Sequence, residues 1–514
     1  MDKTVEQRTA DVTYNRAKLW QIILFATNNT STNIYLVAFS FVTYFSTGVL
    51  GLAVLFVSQL MGYIRIFDGF IDPAIGVLID KTDTKFGKYR PILVLGNIIT
   101  ALSFVFLFNI HHFGSAMTMP LFIVALLIHK IGYSLQQTIT KAGQTALTND
   151  PKQRPIFNIV DGIMSAILFS GSQIVISSYL VPKHGGFTEG FFAELMLGVI
   201  SISAVLAVLS VIGIWQKDNK KYFGLGEEKT QKTTLKDYWK IIKGNRPLQV
   251  LSISAALVKF VAQLFSDSVV VVMLFGILFG NYALSGAISG LMVIPNILVI
   301  VSAATLARKK GLRKAYVTSL QIGIVVMILL GTLLYFGGPG SLDFVKWNLY
   351  SVAFVVLYAL RSFATAPSGL VLTMGADISD YETSVSGRYV SGMIGTIFSL
   401  TDSIASSFAP MVVGFVLAGI GFAKAYPTAE TPLSPALKGA IITLLVFVPA
   451  AMLLISLFLM KFYTLDQVTM AQVQEKIHVM KAAKDEERVQ AIAKNVPLSD
   501  MDYVDVTKYD VEEK

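Results

Sequence analysis

From residue 17 to residue 462 the chain is a series of long apolar runs separated by short polar ones. A helix needs about 20 mainly apolar residues to cross the hydrocarbon layer of a bilayer. That ruler predicts about twelve spans, near 17–44, 49–79, 91–111, 118–147, 156–181, 190–216, 248–279, 284–306, 315–336, 345–374, 389–420 and 436–462. Several exceed the minimum, which permits tilt or a helix that continues beyond the bilayer. The longest polar interruption before the C-terminal stretch, "WQKDNKKYFGLGEEKTQKTTLKDYWKIIKGNRP", divides the spans into six and six. The pattern therefore predicts an all-α membrane protein. A tail over 1–16 precedes a six-helix bundle over 17–216, a linker over 217–247 leads to a second six-helix bundle over 248–462, and a tail covers 463–514.

Composition supports this plan. Hydrophobic residues make up 54% and charged ones 15% of the 514 positions, whereas a soluble globule carries about a quarter charged residues. The net charge of +9 is concentrated in "DKTDTKFGKYR" (80–90), "DPKQR" (150–154), the linker and "ARKKGLRK" (307–314). These alternate with "HHFGSAM", "FGNYALSG" and "GGPGS", which contain no lysine or arginine. The excess of basic residues on alternate loops predicts a cell-membrane protein of bacterial type with both termini cytoplasmic. The polar first residues lack the apolar core of a secretory signal. The basic residues fall in short clusters between apolar runs and form no aromatic-plus-basic nucleic-acid motif, so nucleic acid is not an expected partner. Zero cysteines exclude disulfides and thiolate metal sites. Residues 464–494 read as an amphipathic or solvated helix, and the acidic end as disordered. The tail is too short for a catalytic domain, and no phosphate loop, nucleophile elbow or metal cluster is legible. His111 and His112 sit together in an outer loop, where a metal would need further ligands. Neither an enzymatic activity nor a cofactor is expected.

An ionisable side chain at the bilayer centre costs about 2.5–3.5 kcal/mol on insertion scales, so each one inside a span is a functional candidate. Span two carries Arg65, Asp68 and Asp72, and span four carries Lys130, Ser134, Gln137 and Lys141. The offsets of four, three and four put the second set on one helical face. Asp161, Lys259, Asp267, Arg361 and Asp402 are scattered over spans five, seven, ten and eleven. Ion pairing or gating accounts for Asp161, Lys259, Asp267 and Arg361. Asp68 and Asp72 differ, because two carboxylates on one face repel unless a cation or a proton lies between them. Pro73 frees a carbonyl one turn back, a further cation ligand or simply a kink.

The stretch "RIFDGFIDPAIGVLIDKTDTKFGKYRPILVLGN" resembles the glycoside–pentoside–hexuronide:cation symporter family. The pattern is an Asp pair before Pro, here Asp68, Asp72 and Pro73, then a loop running from Asp80 through Gly87, Lys88, Tyr89 and Arg90 to Pro91. "ALTNDPKQR" (146–154) and "GADISDYE" (375–382) followed by Arg388 resemble two further loops of that family. The resemblance implies the major facilitator fold, alternating access, and symport of a sugar with Na+, Li+ or H+. It makes Asp68 and Asp72 the cation ligands, with Ser134 as a hydroxyl ligand, and sets Arg388 among the gating residues. It also exposes departures. The sugar-binding Asp of helix one falls at Thr32, beside Asn33, and that of helix four at Gln137. The neighbouring Trp falls at Lys141, the helix-five Arg near Asp161 or Gly162, and the helix-eleven Lys at Asp402.

The expected substrate-contacting set is Thr32, Asn33, Tyr35, Gln137, Lys141 and Asp402, with Trp20, Tyr35 and Tyr133 as candidate platforms for a sugar ring. Lys141 suits an acidic substrate such as a uronide, or pairs with Asp402 or Asp161. Lys130 lies one turn from Ser134. If its ammonium reaches Asp68 or Asp72 it replaces Na+, leaving H+ coupling or facilitated transport. The expected function is a monomeric sugar or glycoside symporter driven by H+ or Na+, with no metal beyond a Na+ at Asp68 and Asp72. A lipid or amphiphile translocase on the same fold, or a non-catalytic membrane sensor, are the competing readings.

Overall fold

A computed structural model describes residues 15–82, 84–148, 150, 153–219, 241–387 and 391–493. Its elements are helices, and the one bridge pairing among the described residues joins Thr84 and Gly87. Most of the linker over 217–247, Arg388, and the last acidic residues lie outside the described residues.

Six helices form the body of the first compact unit: α1 (Leu19–Phe39), α2 (Val54–Lys81), α3 (Tyr89–Phe108), α4 (Ser115–Leu147), α5 (Arg154–Val175) and α6 (Glu189–Ile214). Residues 267–293 and 410–437 pack into the same unit. Among the described residues nine helices are long and apolar enough to cross a membrane. A tenth span results if Ser268–Leu278 and Ala283–Leu291, bent by 113°, count as one. Helices α1 and α2 stand outside that set, yet at 1.5 Å per residue their 21 and 28 residues reach about 31 and 42 Å. Helix α2 continues unbroken through Pro73.

Small residues let the helices meet at backbone distance, the usual basis of packing where lipid removes the hydrophobic driving force. A side chain at Gly132 of α4 would lie 2.7 Å from the Thr100 backbone nitrogen of α3. The α3–α4 crossing therefore requires glycine there.

The basic-loop end of this unit is tied by polar contacts. Arg16 pairs with Asp150 at 2.7 Å, and the Ala17 N–H donates to Gln153 at 2.9 Å. Asp218, past the end of α6, has a fully enclosed carboxylate that accepts from the backbone N–H of Lys88, Tyr89 and Arg90 at 2.9–3.1 Å. The Arg90 guanidinium adds a contact at 3.2 Å. These are the orphan donors of the α3 N-terminus, where the helix dipole also favours an anion. Gly87 makes the approach possible. Its φ is +100°, and a Cβ there would fall 2.2 Å from the Asp218 carboxylate oxygen. The "GKYR" motif is thus the seat of a buried carboxylate that comes from residue 218.

The second unit contains Arg246–Phe265, Leu312–Phe336, Leu349–Leu360, Ser368–Ser386, Val448–Leu459 and most of Ser391–Gly419. Ser254 bridges Ser456 at 2.6 Å and Tyr316 at 3.1 Å in its core. The helix expected over 464–494 is present as Gln467–Ala493. It docks through Gln474, which donates to Asp380 at 2.6 Å, while Asn245 donates to Glu382 at 2.8 Å. Two carboxylates of the "GADISDYE" motif are therefore structural anchors.

Candidate functional site

Helices α2 and α4 bring their charged faces together. Lys130 Nζ lies 2.7 Å from Asp68 Oδ2, with side-chain exposures of 10% and 25%. The other carboxylate oxygen of Asp68 is shielded from solvent and has no hydrogen-bond partner. The ammonium also lies over the rings of Phe39 and Tyr133, at 5.6 and 5.4 Å. One turn along α2, Asp72 is exposed, with Ser134 of α4 beside it. Lys130 and Lys141 are the positive charges within electrostatic range of Asp72. Two carboxylates thus face one enclosed ammonium.

A polar chain extends from this centre. Tyr133 donates to Asn33 at 3.2 Å, Asn33 to Asn29 at 3.0 Å, and Asn29 to Asp161 at 2.7 Å. It connects α4, α1 and α5. Asp161 is therefore held by an amide, not by a lysine. Farther along the α4 face, the Gln137 carbonyl oxygen is enclosed and unpartnered, and Lys141 is exposed.

Several expected residues lie elsewhere. Thr32 is fully buried and turns its hydroxyl back to the Asn28 carbonyl at 2.8 Å. Tyr35 is also fully buried, packed edge-on against Phe104 at 5.1 Å. A ring enclosed on all sides offers no platform, so both residues leave the substrate-contacting set. Asp267 caps the helix Ser268–Val272, accepting from Val269 N–H at 2.9 Å. Of the residues expected in ion pairing or gating, Asp267 is thus also engaged by backbone N–H groups. Arg65 is in electrostatic contact with Asp267 and Asp68. In the second unit, Lys259 is exposed and faces Asp402, while Arg361 stacks between Phe265 and Tyr358 at 4.3 and 4.0 Å. Arg361 is thus held by aromatic faces, with one enclosed nitrogen unpartnered.

A second polar cluster escaped the sequence reading. Gln136, fully buried, donates to the Ser31 hydroxyl at 2.9 Å and accepts from Asn97 at 3.4 Å. Its backbone carbonyl accepts from Asn28 at 3.0 Å, and Asn97 continues to Ser203 at 2.7 Å. The cluster joins α1, α3, α4 and α6. Polar residues on several faces of span four were its only trace in the sequence.

Residues 25–467 match the family described as MFS/sugar transport protein. The isoprimeverose transporter of Lactiplantibacillus pentosus is 23% identical over 87% of this chain and 90% of its own length. The glucuronide carrier protein homolog of Escherichia coli (strain K12) is 24% identical over 83% of this chain and 88% of that one. Among solved structures, the nucleoside transporter NupG superposes with a TM-score of 0.58 over 87% of this chain and 100% of that chain, at 13% identity. That likeness is one of fold.

Proposed function

The chain belongs to the MFS/sugar transport protein family, and on that premise we propose that it imports a sugar or glycoside by symport with H+ in place of Na+. The transporter is an all-α membrane protein with the major facilitator fold. What carries the choice of ion is the Lys130–Asp68 contact at 2.7 Å. A sodium ion wants several hard oxygen ligands. Here an ammonium occupies one carboxylate, and a second cation at that position would meet its charge at close range. Asp72 remains, exposed and beside Ser134, as the group free to take and release a proton. Protonation of Asp72 removes one negative charge from the site without displacing Lys130. This is a route to coupling that needs no cage of oxygen ligands.

Gln137 and Lys141 continue the same face. An amide oxygen without a partner suits a sugar hydroxyl, and an exposed ammonium suits a carboxylate on the substrate. An acidic glycoside such as a uronide is the substrate class this pair favours, and one relative is itself named as a glucuronide carrier homolog. Both termini belong on the cytoplasmic side by the distribution of basic loops.

The test is uptake of labelled glycosides and uronides into proteoliposomes under an imposed pH gradient or an imposed Na+ gradient. The pH gradient is expected to drive accumulation, and Na+ to have no effect at constant pH. Accumulation driven by Na+ alone would overturn the proposal.

A further inference from the structure

At the end of the first unit opposite its basic loops, three of the chain's five histidines meet carboxylates. Helix α3 starts beside the Asp218 clamp and runs away from it, so the turn Ile110–Phe113 lies at the far end. Helix α6 finishes near that clamp, so its first residue, Glu189, also lies at the far end. The turn and the helix start bring His111, His112 and Glu189 together. One ligand atom from each falls within 4.8 Å of the others.

The details are not those of an ordinary ion pair. His111 Nε2 is 2.5 Å from Glu189 Oε1. Yet both ring nitrogens of His111 are shielded from solvent and neither makes a hydrogen bond. The carboxylate is close without lying where an N–H would point. The rings of His111 and His112 stand 3.9 Å apart at 46°, and Phe45 holds His111 edge-on at 6.3 Å. His112 and Glu189 are exposed, which leaves the group open to an entering ion. Zinc–nitrogen and zinc–oxygen bonds near 2.0–2.1 Å in a tetrahedron place ligand atoms about 3.3 Å apart. A small opening of the His111–Glu189 contact reaches that spacing.

We propose that His111, His112 and Glu189 bind a divalent transition ion of the zinc class, tying the α3–α4 turn to the start of α6. Two imidazoles and one carboxylate suit zinc, nickel or copper, whereas magnesium and calcium prefer all-oxygen shells. Three protein ligands leave a fourth position for water. The neighbouring Lys183–His184–Glu194 trio is a different arrangement: Lys183 and His184 both reach Glu194 at 2.7 Å, and the lysine already satisfies that carboxylate. The inference does not rest on the transported substrate or the coupling ion.

The experiment is Zn2+ titration of the purified full-length protein, stripped with chelator, in competition with a chromophoric zinc indicator. One ion per chain is expected, with a rise in thermal midpoint for Zn2+ and none for Mg2+ at equal concentration. Glu189→Gln and His112→Ala are each expected to weaken binding at least tenfold, the lower end of what altering a metal's surroundings costs. Glu194→Gln is expected to leave it unchanged. The chain contains no cysteine, so His112→Cys gives a clean rescue, because a thiolate also ligates zinc. Saturable binding that survives in either Glu189→Gln or His112→Ala, loss of binding in Glu194→Gln, or absence of stoichiometric binding in the unaltered chain would overturn the site.

Discussion

Gln136 and Gln137 are neighbours on α4 and chemically identical, but they face opposite surroundings. Gln136 is fully buried and exchanges hydrogen bonds with Asn28, Ser31 and Asn97. Gln137 is half-buried with its carbonyl oxygen unpartnered, on the face that also carries Lys130, Ser134 and Lys141. A helix turns about 100° per residue, so adjacent positions meet different neighbours. The first face packs on α1, α3 and α6, where a polar group must be satisfied within the protein. The second keeps one enclosed polar atom, the Gln137 carbonyl oxygen, unsatisfied, and such an atom is costly unless a ligand is meant to supply a partner. The contrast separates glue from working surface on one helix.

Lys130→Ala is the substitution that strains this comparison most. Removing one partner of a nearly enclosed ion pair leaves Asp68 uncompensated, and proton-driven uptake is expected to fall about a hundredfold, equivalent to about 3 kcal/mol. Residual uptake is expected to become sensitive to Na+, because both carboxylates are then free to face a cation. Uptake that keeps its rate and its ion preference would return Lys130 to the class of glue.

Gly87→Ala probes the scaffold outside both faces. The positive φ and the overlap with Asp218 are expected to lower folding stability by about 3 kcal/mol, with no change in ion preference among molecules that fold. Thermal unfolding in detergent and uptake per folded protein separate the two. Gln136→Ala should follow, at about 1–3 kcal/mol, since several buried groups lose their partner together. Its substrate KM is expected to stay constant. A shifted KM with unchanged stability would invert the roles of the two faces.

Gln137→Ala has the smallest effect on folding, within about 0.5 kcal/mol. It is expected to raise KM about tenfold, or about 1.4 kcal/mol of binding. Lys141→Gln sharpens this result if the loss is confined to acidic glycosides, measured by competition between a uronide and its neutral counterpart.

Much of this was legible in the chain. Apolar run length and the spacing of basic loops predicted a helical membrane protein, because both report directly on bilayer thickness and charge cost. The 3.6-residue period put Lys130, Ser134, Gln137 and Lys141 on one face, and the motif around Asp68 led to the family. Other residues were misread for physical reasons. Thr32 occupies a position that alignment assigned to substrate and Tyr35 is one of the candidate ring platforms, but side-chain direction on α1 turns both into the core. Asp267, expected in ion pairing or gating, also caps a helix start, which its position in the chain did not announce. Asp218 gave only a faint signal, one acidic residue among lysines, although it accepts three backbone N–H groups from a motif 128–130 positions earlier.

The sequence by itself determined what could be expressed as a length, a period or a local motif: the spans, the polar faces and the carboxylate pair. Tertiary structure alone decided the partners. Whether Lys130 reaches Asp68, whether Gln136 is satisfied, and whether two adjacent histidines find a third ligand in Glu189 depend on contacts between distant segments. Hydrogen bonds and ion pairs act within about 3 Å. No spacing along one chain states which atoms from another helix arrive at that distance.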